Sequence, residues 1–356
     1  MRPFVSVLID TYNHERFIEQ AIASVLEQDF PASEMEVLVV DDGSTDRTPE
    51  VLRQFEPRVR VIRKANGGQA SAFNAGIPQC RGEVIAFLDG DDWWLPGKLR
   101  RVADVFASEA SVGMLGHAFR EFFNDGTYRT VALDTEKRLQ LKNVAAASFF
   151  RLNRCFFGTS RMAMRRSVAL SLGSVPEGLI IEADEYLFTL GAAGSESVIL
   201  TEPLTVYRLH GGNLFMNDRA SPHGLDIKRR SLAVLASSLP VALEKAGVPE
   251  DARRCILELV RAEANQLQLM TSGGRRLSAY KAEAVLYRVH HQNATAGQKL
   301  FHEAGMLASL LLPPRLFYAA KHWLGRQRWY QTGRAKLLPI PKFAAGETEK
   351  LDGADG

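Results

Sequence analysis

At 356 residues, 46% hydrophobic and 24% charged, the chain has the composition of a folded water-soluble protein, with room for one large domain or two moderate ones. A net charge of +3 is too small to mark a nucleic-acid-binding protein, so no nucleic-acid partner is expected. Cys80, Cys155 and Cys255 form neither a metal-ligand spacing nor a disulfide framework, and neither a leader-like start nor 18 consecutive apolar residues are found, so a cytoplasmic protein without a spanning helix is expected.

The first hundred residues alternate between two periodicities. An apolar strand at about 4–10 precedes a helical stretch from His14 to Gln28, where Phe17, Ile18, Ala21, Ile22, Val25 and Leu26 form one stripe. A second strand, Glu36 to Val40, runs into Asp41-Asp42-Gly43-Ser44, and Ser44 or Thr45 is placed to cap a helix starting near Asp46. Val59 to Ile62 reads as a third strand and Gln69 to Ile77 as a short helix after Gly67-Gly68. Val84 to Leu88 is a fully apolar fourth strand that ends in Asp89-Gly90-Asp91-Asp92. Strands and helices in this alternation predict a parallel sheet covered on both faces, with ligands beyond the carboxyl ends of its strands.

Residues 110–210 carry a mixed pattern. Gly211-Gly212-Asn213 and the polar stretch to about Lys228 read as a linker, and Arg229 to about Ala304 as several helices. The expected organisation is a catalytic domain over 1–215, a helical region over 216–345 and a disordered tail over 346–356.

Three of the strands end in polar clusters, which brings Asp10, Asp41, Asp42, Asp89, Asp91 and Asp92, with Tyr12, to one sheet edge. Like charges gathered this way repel, and folding alone gives no reason to collect them. In extended chain Asp89 and Asp91 point to the same side, and Gly90 lets the backbone bend toward a ligand. Paired hard oxygen donors suit Mg²⁺ or Mn²⁺, which would bridge to diphosphate oxygens.

Val5 to Asn13, Ser24 to Gln28, Val39-Val40-Asp41-Asp42-Gly43-Ser44-Thr45-Asp46, Asn66-Gly67-Gly68, Asn74 to Ile77 and Gly82-Glu83 leading to Leu88-Asp89-Gly90-Asp91-Asp92 together resemble family 2 glycosyltransferases. The resemblance implies an α/β, Rossmann-like GT-A fold: a mainly parallel sheet flanked by helices, followed here by a helical C-terminal region. It implies a nucleotide-diphosphate sugar donor, UDP- or GDP-linked, and transfer with inversion to a glycan or lipid-linked glycan acceptor in cell-surface polysaccharide or glycolipid assembly. Carried over position by position, Thr11 and Tyr12 would flank the donor base and Asp42, with Asp41, would meet base and ribose. Asn66 would fix the neighbouring loop, as would Asn74. Asp91 would be the main metal ligand, Asp89 would serve metal or ribose, and His210 in Tyr207-Arg208-Leu209-His210 would complete the metal shell or approach the diphosphate. The family's general base belongs to a Glu-Asp pair. Here Ala183 separates Glu182 from Asp184, leaving Asp184 first, then Glu185 and Glu182.

Interruption of that pair leaves a second reading, a catalytically inactive nucleotide-sugar-binding regulatory protein. A dinucleotide-dependent oxidoreductase is opposed by the lack of Gly-x-Gly-x-x-Gly after the first strand. Processive relatives carry Gln-x-x-Arg-Trp; this chain has Gly325 before Arg328-Trp329, which favours single addition. Leucines and aromatics between Leu307 and Tyr330 alternate with Arg315, Lys321, Arg326, Arg328, Arg334 and Lys336, a pattern that suits either peripheral contact with the inner face of an anionic membrane or a packed helix with a basic outer face.

Overall fold

The computed structural model describes residues 3–210, 222–290, 296–326 and 349–350. Alternation in the first strands places successive side chains in two different cores. In β1 (Val5–Thr11), Val5, Val7 and Ile9 face one layer and Leu8 the other. Helix α1 (Ile18–Leu26) covers the first layer with Ile18, Ala21, Ile22 and Val25, the i, i+3, i+4, i+7 set of an amphipathic helix. It is shorter than its periodic stretch because the His14 carbonyl accepts from both Phe17 and Ile18, making a turn before the helix proper. Strand β2 (Met35–Asp41) follows. Next comes α2 (Thr48–Arg53), capped by neither Ser44 nor Thr45: Asp46 Oδ1 accepts the Thr48 N–H at 2.9 Å, while Ser44 Oγ is taken by the Asn13 N–H.

β3 (Arg60–Arg63), α3 (Gln69–Gly76) and β4 (Val84–Asp89) complete the regular half. β1 pairs in parallel with both β2 and β4, and β2 with β3. The register sets Thr11 opposite Asp41 and Asp10 opposite Asp89, so the polar ends of these strands lie level with one another. The next elements are β5 (Trp93–Trp94), α4 (Lys98–Ser108), β6 (Val112–Phe122), β7 (Thr127–Val131), β8 (Lys137–Leu139), α5 (Val144–Asn153), β9 (Ala163–Arg165), α6 (Arg166–Ser171), α7 (Ala183–Gly194) and β10 (Glu196–Arg208). β9 joins β4 to β6 antiparallel, and β10 runs parallel to β6 along its other edge. β5 pairs with Thr205 and Val206 of β10, which carries the chain leaving β10 back to Asp91 and Asp92.

Among the described residues five helices follow: α8 (Pro222–Lys245), α9 (Glu250–Ser272), α10 (Arg276–His290), α11 (Ala296–Leu311) and α12 (Pro314–Arg326). Helix begins at Pro222, earlier than the polar composition indicated; proline is well placed in a first turn, where its missing N–H costs no helical bond. The apolar layer holding Leu8, Phe73 and Phe87 continues through Phe150, Leu187 and Phe188 into Leu235, Leu239, Ile256 and Val260 of α8 and α9. The expected boundary near 215 lies outside the described residues. Within the expected tail, Glu349–Lys350 form a two-residue strand, β11, antiparallel to β7; its other residues lie outside those described. This is the expected fold class, a mainly parallel sheet between helical layers with a helical C-terminal region.

Candidate active site

The donor-side rim is tied together by Asn13. Its backbone adopts a φ of +57°, which asparagine tolerates better than most residues. Its side-chain oxygen accepts the Thr45 and Asp46 N–H groups at 2.7 and 3.3 Å, fixing the loop after β2 to the loop after β1. Asp41 Oδ1 accepts the Ser44 N–H at 2.9 Å. The Asp42 carboxylate accepts the Gly68 N–H at 2.6 Å, the Gly67 N–H at 3.1 Å and a Lys64 ammonium hydrogen at 2.5 Å. Both carboxylates are buried and hold protein loops. Tyr12, by contrast, is 42% exposed beside the buried Thr11, and Asn66 is exposed. Asn74 exchanges two 2.8 Å bonds with the Val175 backbone, a purely structural clamp.

Level with Thr11, the ends of β1 and β4 bring carboxylates together. Gly90 is required here by space: a Cβ on it would lie 2.6 Å from Thr11 Oγ1 and 2.8 Å from His14 Nδ1. Burial, then repulsion from Asp91, pushes Asp10 up to about 8. The same two causes push Asp92 up to about 7. Burial with the charges of Asp10, Asp92, Asp91 and Asp184 raises Asp89 well above the carboxylate range. Asp91 differs. Burial opposes its ionisation, but His14 and His210 outweigh it and hold it below its ordinary value. His210 Nε2 lies 2.9 Å and His14 Nε2 3.9 Å from Asp91 Oδ2.

The third wall is the turn into α7. Gly68 has a φ of +84°, and a Cβ there would sit 2.6 Å from Ile180 Cα, so only glycine lets the two loops touch. Gln69 bridges them. Its side-chain oxygen accepts the Ala183 N–H at 3.1 Å, and its Nε2 lies 3.1 Å from Thr159 Oγ1 and 3.4 Å from Asp89 Oδ1. Glu182 takes the left-handed conformation, φ +66°, at a cost of about 1–3 kcal/mol.

Beyond that turn the acids part company. Asp184 accepts from the Thr159 N–H at 3.2 Å and the Glu185 N–H at 2.8 Å, and its charge is felt by Asp10 and Asp89. Burial raises its pKa against the pull of those N–H groups. Glu185 pairs instead with Arg154, which also holds Glu263 at 2.6 Å, and Glu182 lies 3.5 Å from Lys228. These groups line a cavity of about 190 Å³ between α7, α8 and α9. Of the three candidate bases, only Asp184 belongs to the acidic cluster; Glu182 and Glu185 are engaged in ion pairs.

The cluster fits a divalent cation by its donor chemistry. Asp10 Oδ1 and Asp92 Oδ2 are buried without a hydrogen-bond partner, and both carboxyls are raised by burial first and by the neighbouring Asp91 charge second, penalties on ionisation that a cation would relieve. Among the described residues no three His, Cys, Asp or Glu side chains form a ready metal cage. Mg²⁺ and Mn²⁺ sites of this kind use one or two carboxylates and complete their shell with substrate phosphate and water. Asp91, with Asp89 and His210, would hold such an ion.

Several site residues escape sequence reading. Arg208 donates its backbone N–H to Asp92 Oδ1 and its Nε–H to the Asp91 carbonyl, both at 2.9 Å, and its guanidinium lies 4.4 Å from the Trp93 ring centre. Lys98 is fully buried behind the cluster: Nζ donates to the Ser160 carbonyl at 2.6 Å and Thr205 Oγ1 at 3.0 Å, and burial lowers its pKa well below the ordinary value. Ser160 Oγ accepts the Asp89 N–H at 3.0 Å. The only prior signals were Arg208 beside His210 and His14 beside Asn13.

The model of the glycosyl transferase family 2 matches residues 6–172, which include the Asp89–Asp92 cluster. An uncharacterized glycosyltransferase of Nostoc sp. is 36% identical over 220 residues, covering 60% of this chain and 67% of that protein. Glycosyltransferase AglE of Haloferax volcanii is 32% identical over 192 residues, 52% of this chain and 60% of its own. Among solved structures, S. aureus TarS 1–349 in complex with UDP-GlcNAc aligns with a TM-score of 0.59 at 19% identity, over 90% of this chain and 92% of TarS. The mannosyltransferase PcManGT of Pyrobaculum calidifontis, in complex with GDP-Man and Mn²⁺, aligns with a TM-score of 0.50 at 20% identity, over 97% of this chain and 86% of its own. The structural likenesses establish the GT-A fold; the sequence matches, with the motifs at the carboxyl ends of β1, β2 and β4, place the chain in glycosyl transferase family 2.

Proposed function

We propose that the protein transfers a glycosyl group from a UDP- or GDP-sugar to a hydroxyl of a glycan or lipid-linked glycan acceptor, with inversion, in cell-surface polysaccharide or glycolipid assembly. The observation that carries this reading is that Asp184 stands one bridge away from the strand ends: it accepts the Thr159 N–H, and Gln69 Nε2 lies 3.1 Å from Thr159 Oγ1 and 3.4 Å from Asp89 Oδ1. Tyr12, exposed beside Thr11, offers a face for the donor base. Asp41 and Asp42 hold the loops around the base and ribose, Asp41 through the Ser44 N–H and Asp42 through the N–H groups of Gly67 and Gly68.

A cation held by Asp91, Asp89 and His210 would supply charge stabilisation for the departing nucleotide diphosphate. Asp184 accepts the acceptor hydroxyl's proton as that oxygen attacks the anomeric carbon from the face opposite the leaving group, which is what inverts the centre. Its raised pKa suits a base that must capture a proton near neutral pH. Arg208 and Lys98 fix the backbone on which Asp91, Asp92 and Ser160 stand. A base candidate within electrostatic reach of the cluster supports catalysis over an inactive nucleotide-binding role.

The test is a transfer assay with UDP- and GDP-sugars, a panel of hydroxyl acceptors and Mn²⁺, followed by NMR of the product. Release of one nucleotide with an inverted anomeric configuration is expected. A product of retained configuration would overturn the proposed role of Asp184.

A further inference from the structure

Among the described residues, helices α11 and α12 hold several large apolar side chains that are more than half exposed. α12 packs inward through Phe317 and Tyr318, which meet Leu269 and Ala279 of α9 and α10. Its opposite face nevertheless presents Leu316, Ala320 and Trp323 at i, i+4 and i+7, with Leu316 60% and Trp323 59% exposed. α11 does the same with Leu307 and Leu311, one turn apart and 56% and 74% exposed. The two stripes meet at the turn Leu312-Pro313, and all three of Leu311, Leu312 and Leu316 are exposed there.

The surroundings of this turn are basic. The Arg315 side chain lies 3.6 Å from where a Cβ on Gly273 would stand, so the loop Gly273-Gly274-Arg275-Arg276 borders the start of α12. Arg275, Arg276 and Arg315 are exposed, and Leu277 beside them is 55% exposed. From Arg315 to Lys342 the sequence contains seven Lys and Arg residues and no Asp or Glu.

We propose that the α11–α12 turn, with the start of α10, docks the protein on an anionic lipid bilayer. Leucines and a tryptophan flanked by arginines match an interface where apolar side chains enter the acyl boundary and guanidinium groups meet lipid phosphates. Charge selects lipid over a second copy of the chain: a two-fold contact through this patch would set each basic cluster against its own image. No described helix is long and apolar enough to cross a membrane, and this mode of attachment requires none. The inference does not depend on the donor reading, because lipid binding is measured without nucleotide.

The experiment is flotation of the full chain with phosphatidylcholine vesicles, with and without phosphatidylglycerol, at low salt. The variants are Arg275→Ser/Arg276→Ser/Arg315→Ser and Leu311→Ser/Leu316→Ser, all at exposed positions, with circular dichroism as the check on folding. The wild type floats only with phosphatidylglycerol vesicles. The triple variant binds them roughly a hundredfold less tightly, since each basic residue near an anionic surface contributes about a fivefold factor, and the leucine variant is also weakened. Absence of flotation with phosphatidylglycerol, or flotation untouched by both variants, would overturn the proposal. So would sedimentation showing that Leu311 and Leu316 instead drive concentration-dependent self-association.

Discussion

Asp184 carries the mechanistic weight, and its surroundings separate it from its neighbours. Glu182 and Glu185 are tied to Lys228 and Arg154, whereas Asp184 accepts two backbone N–H groups, with the Thr159 hydroxyl and the charge of Arg161 also favouring its ionised form, and its own charge reaches Asp10 and Asp89. Asp184→Asn should therefore lower kcat by roughly 10²–10⁴ with donor affinity within about threefold of wild type; Glu182→Gln should not reproduce this split. Because burial raises the Asp184 pKa, the active, deprotonated base accumulates only as pH climbs past a point above the ordinary aspartate value. In the wild type, kcat/KM should rise with pH through that region and then level off, and a profile flat from pH 4 upward would count against this base. The stability consequence has the opposite sense. A raised folded-state pKa means that the folded chain holds this proton more tightly than the unfolded chain, so the contribution is present at low pH and is lost as pH rises through the raised value.

Single residues also show where sequence reading reaches its limit. Asp10, Asp89, Asp91 and Asp92 were legible because strand ends and short spacings bring them together whatever the rest of the chain does. His14, Gln69, Ser160, Lys98 and Arg208 were not, because their contacts reach far along the sequence, 117 positions between Arg208 and Asp91 and 188 between Arg208 and Gln20, and no local pattern encodes such a pairing. Asp42 was legible as a site residue, but its partners at Lys64, Gly67 and Gly68 were not.

At the level of elements, Arg154, at the end of α5, bridges Glu185 of α7 and Glu263 of α9. Arg154 is held protonated, against burial, by Glu185 and Glu263, and burial with the nearby acids Glu182 and Glu263 pushes Glu185 up to about 8. The surplus acid is the reason one guanidinium must serve two carboxylates. Arg154→Met would leave the buried Glu185 and the half-buried Glu263 without it and should cost about 3 kcal/mol in denaturant unfolding. Restoring neutrality with Glu185→Gln in the same chain should recover part of that loss, an outcome that a simple packing defect would not give.

The regular elements β1 to β4 were readable because each strand ends in its own polar cluster and each helix shows one apolar stripe. The stretch from 110 to 180 was not. β6 is buried along most of its length, so its sequence shows no alternation, and β9 has only three residues, defined by pairing with β4 and β6 rather than by any pattern of its own. The cap of α2 was misplaced for a related reason: Ser44 is drawn off by Asn13, a contact across 31 residues.

For the whole molecule, the apolar layer under the sheet runs on into α8 and α9, so the catalytic layer and these helices share one core. A fragment ending at Arg208 would expose Phe150, Leu187 and Phe188 where those helices pack. It should lose cooperative thermal unfolding and bind a hydrophobic dye, whereas the full chain should melt in one transition. Two separate calorimetric transitions in the full chain would contradict a shared core.

The central claim is that the carboxylates at the ends of β1 and β4 form a metal-dependent site for a nucleotide sugar. Calorimetric titration of UDP- and GDP-sugars, with and without Mn²⁺, on the wild type and on Asp91→Ala tests it most directly. Binding of one nucleotide class that requires the metal and disappears in the variant is the predicted result. Equal binding with and without Mn²⁺, unchanged in Asp91→Ala, would contradict the assignment of this cluster.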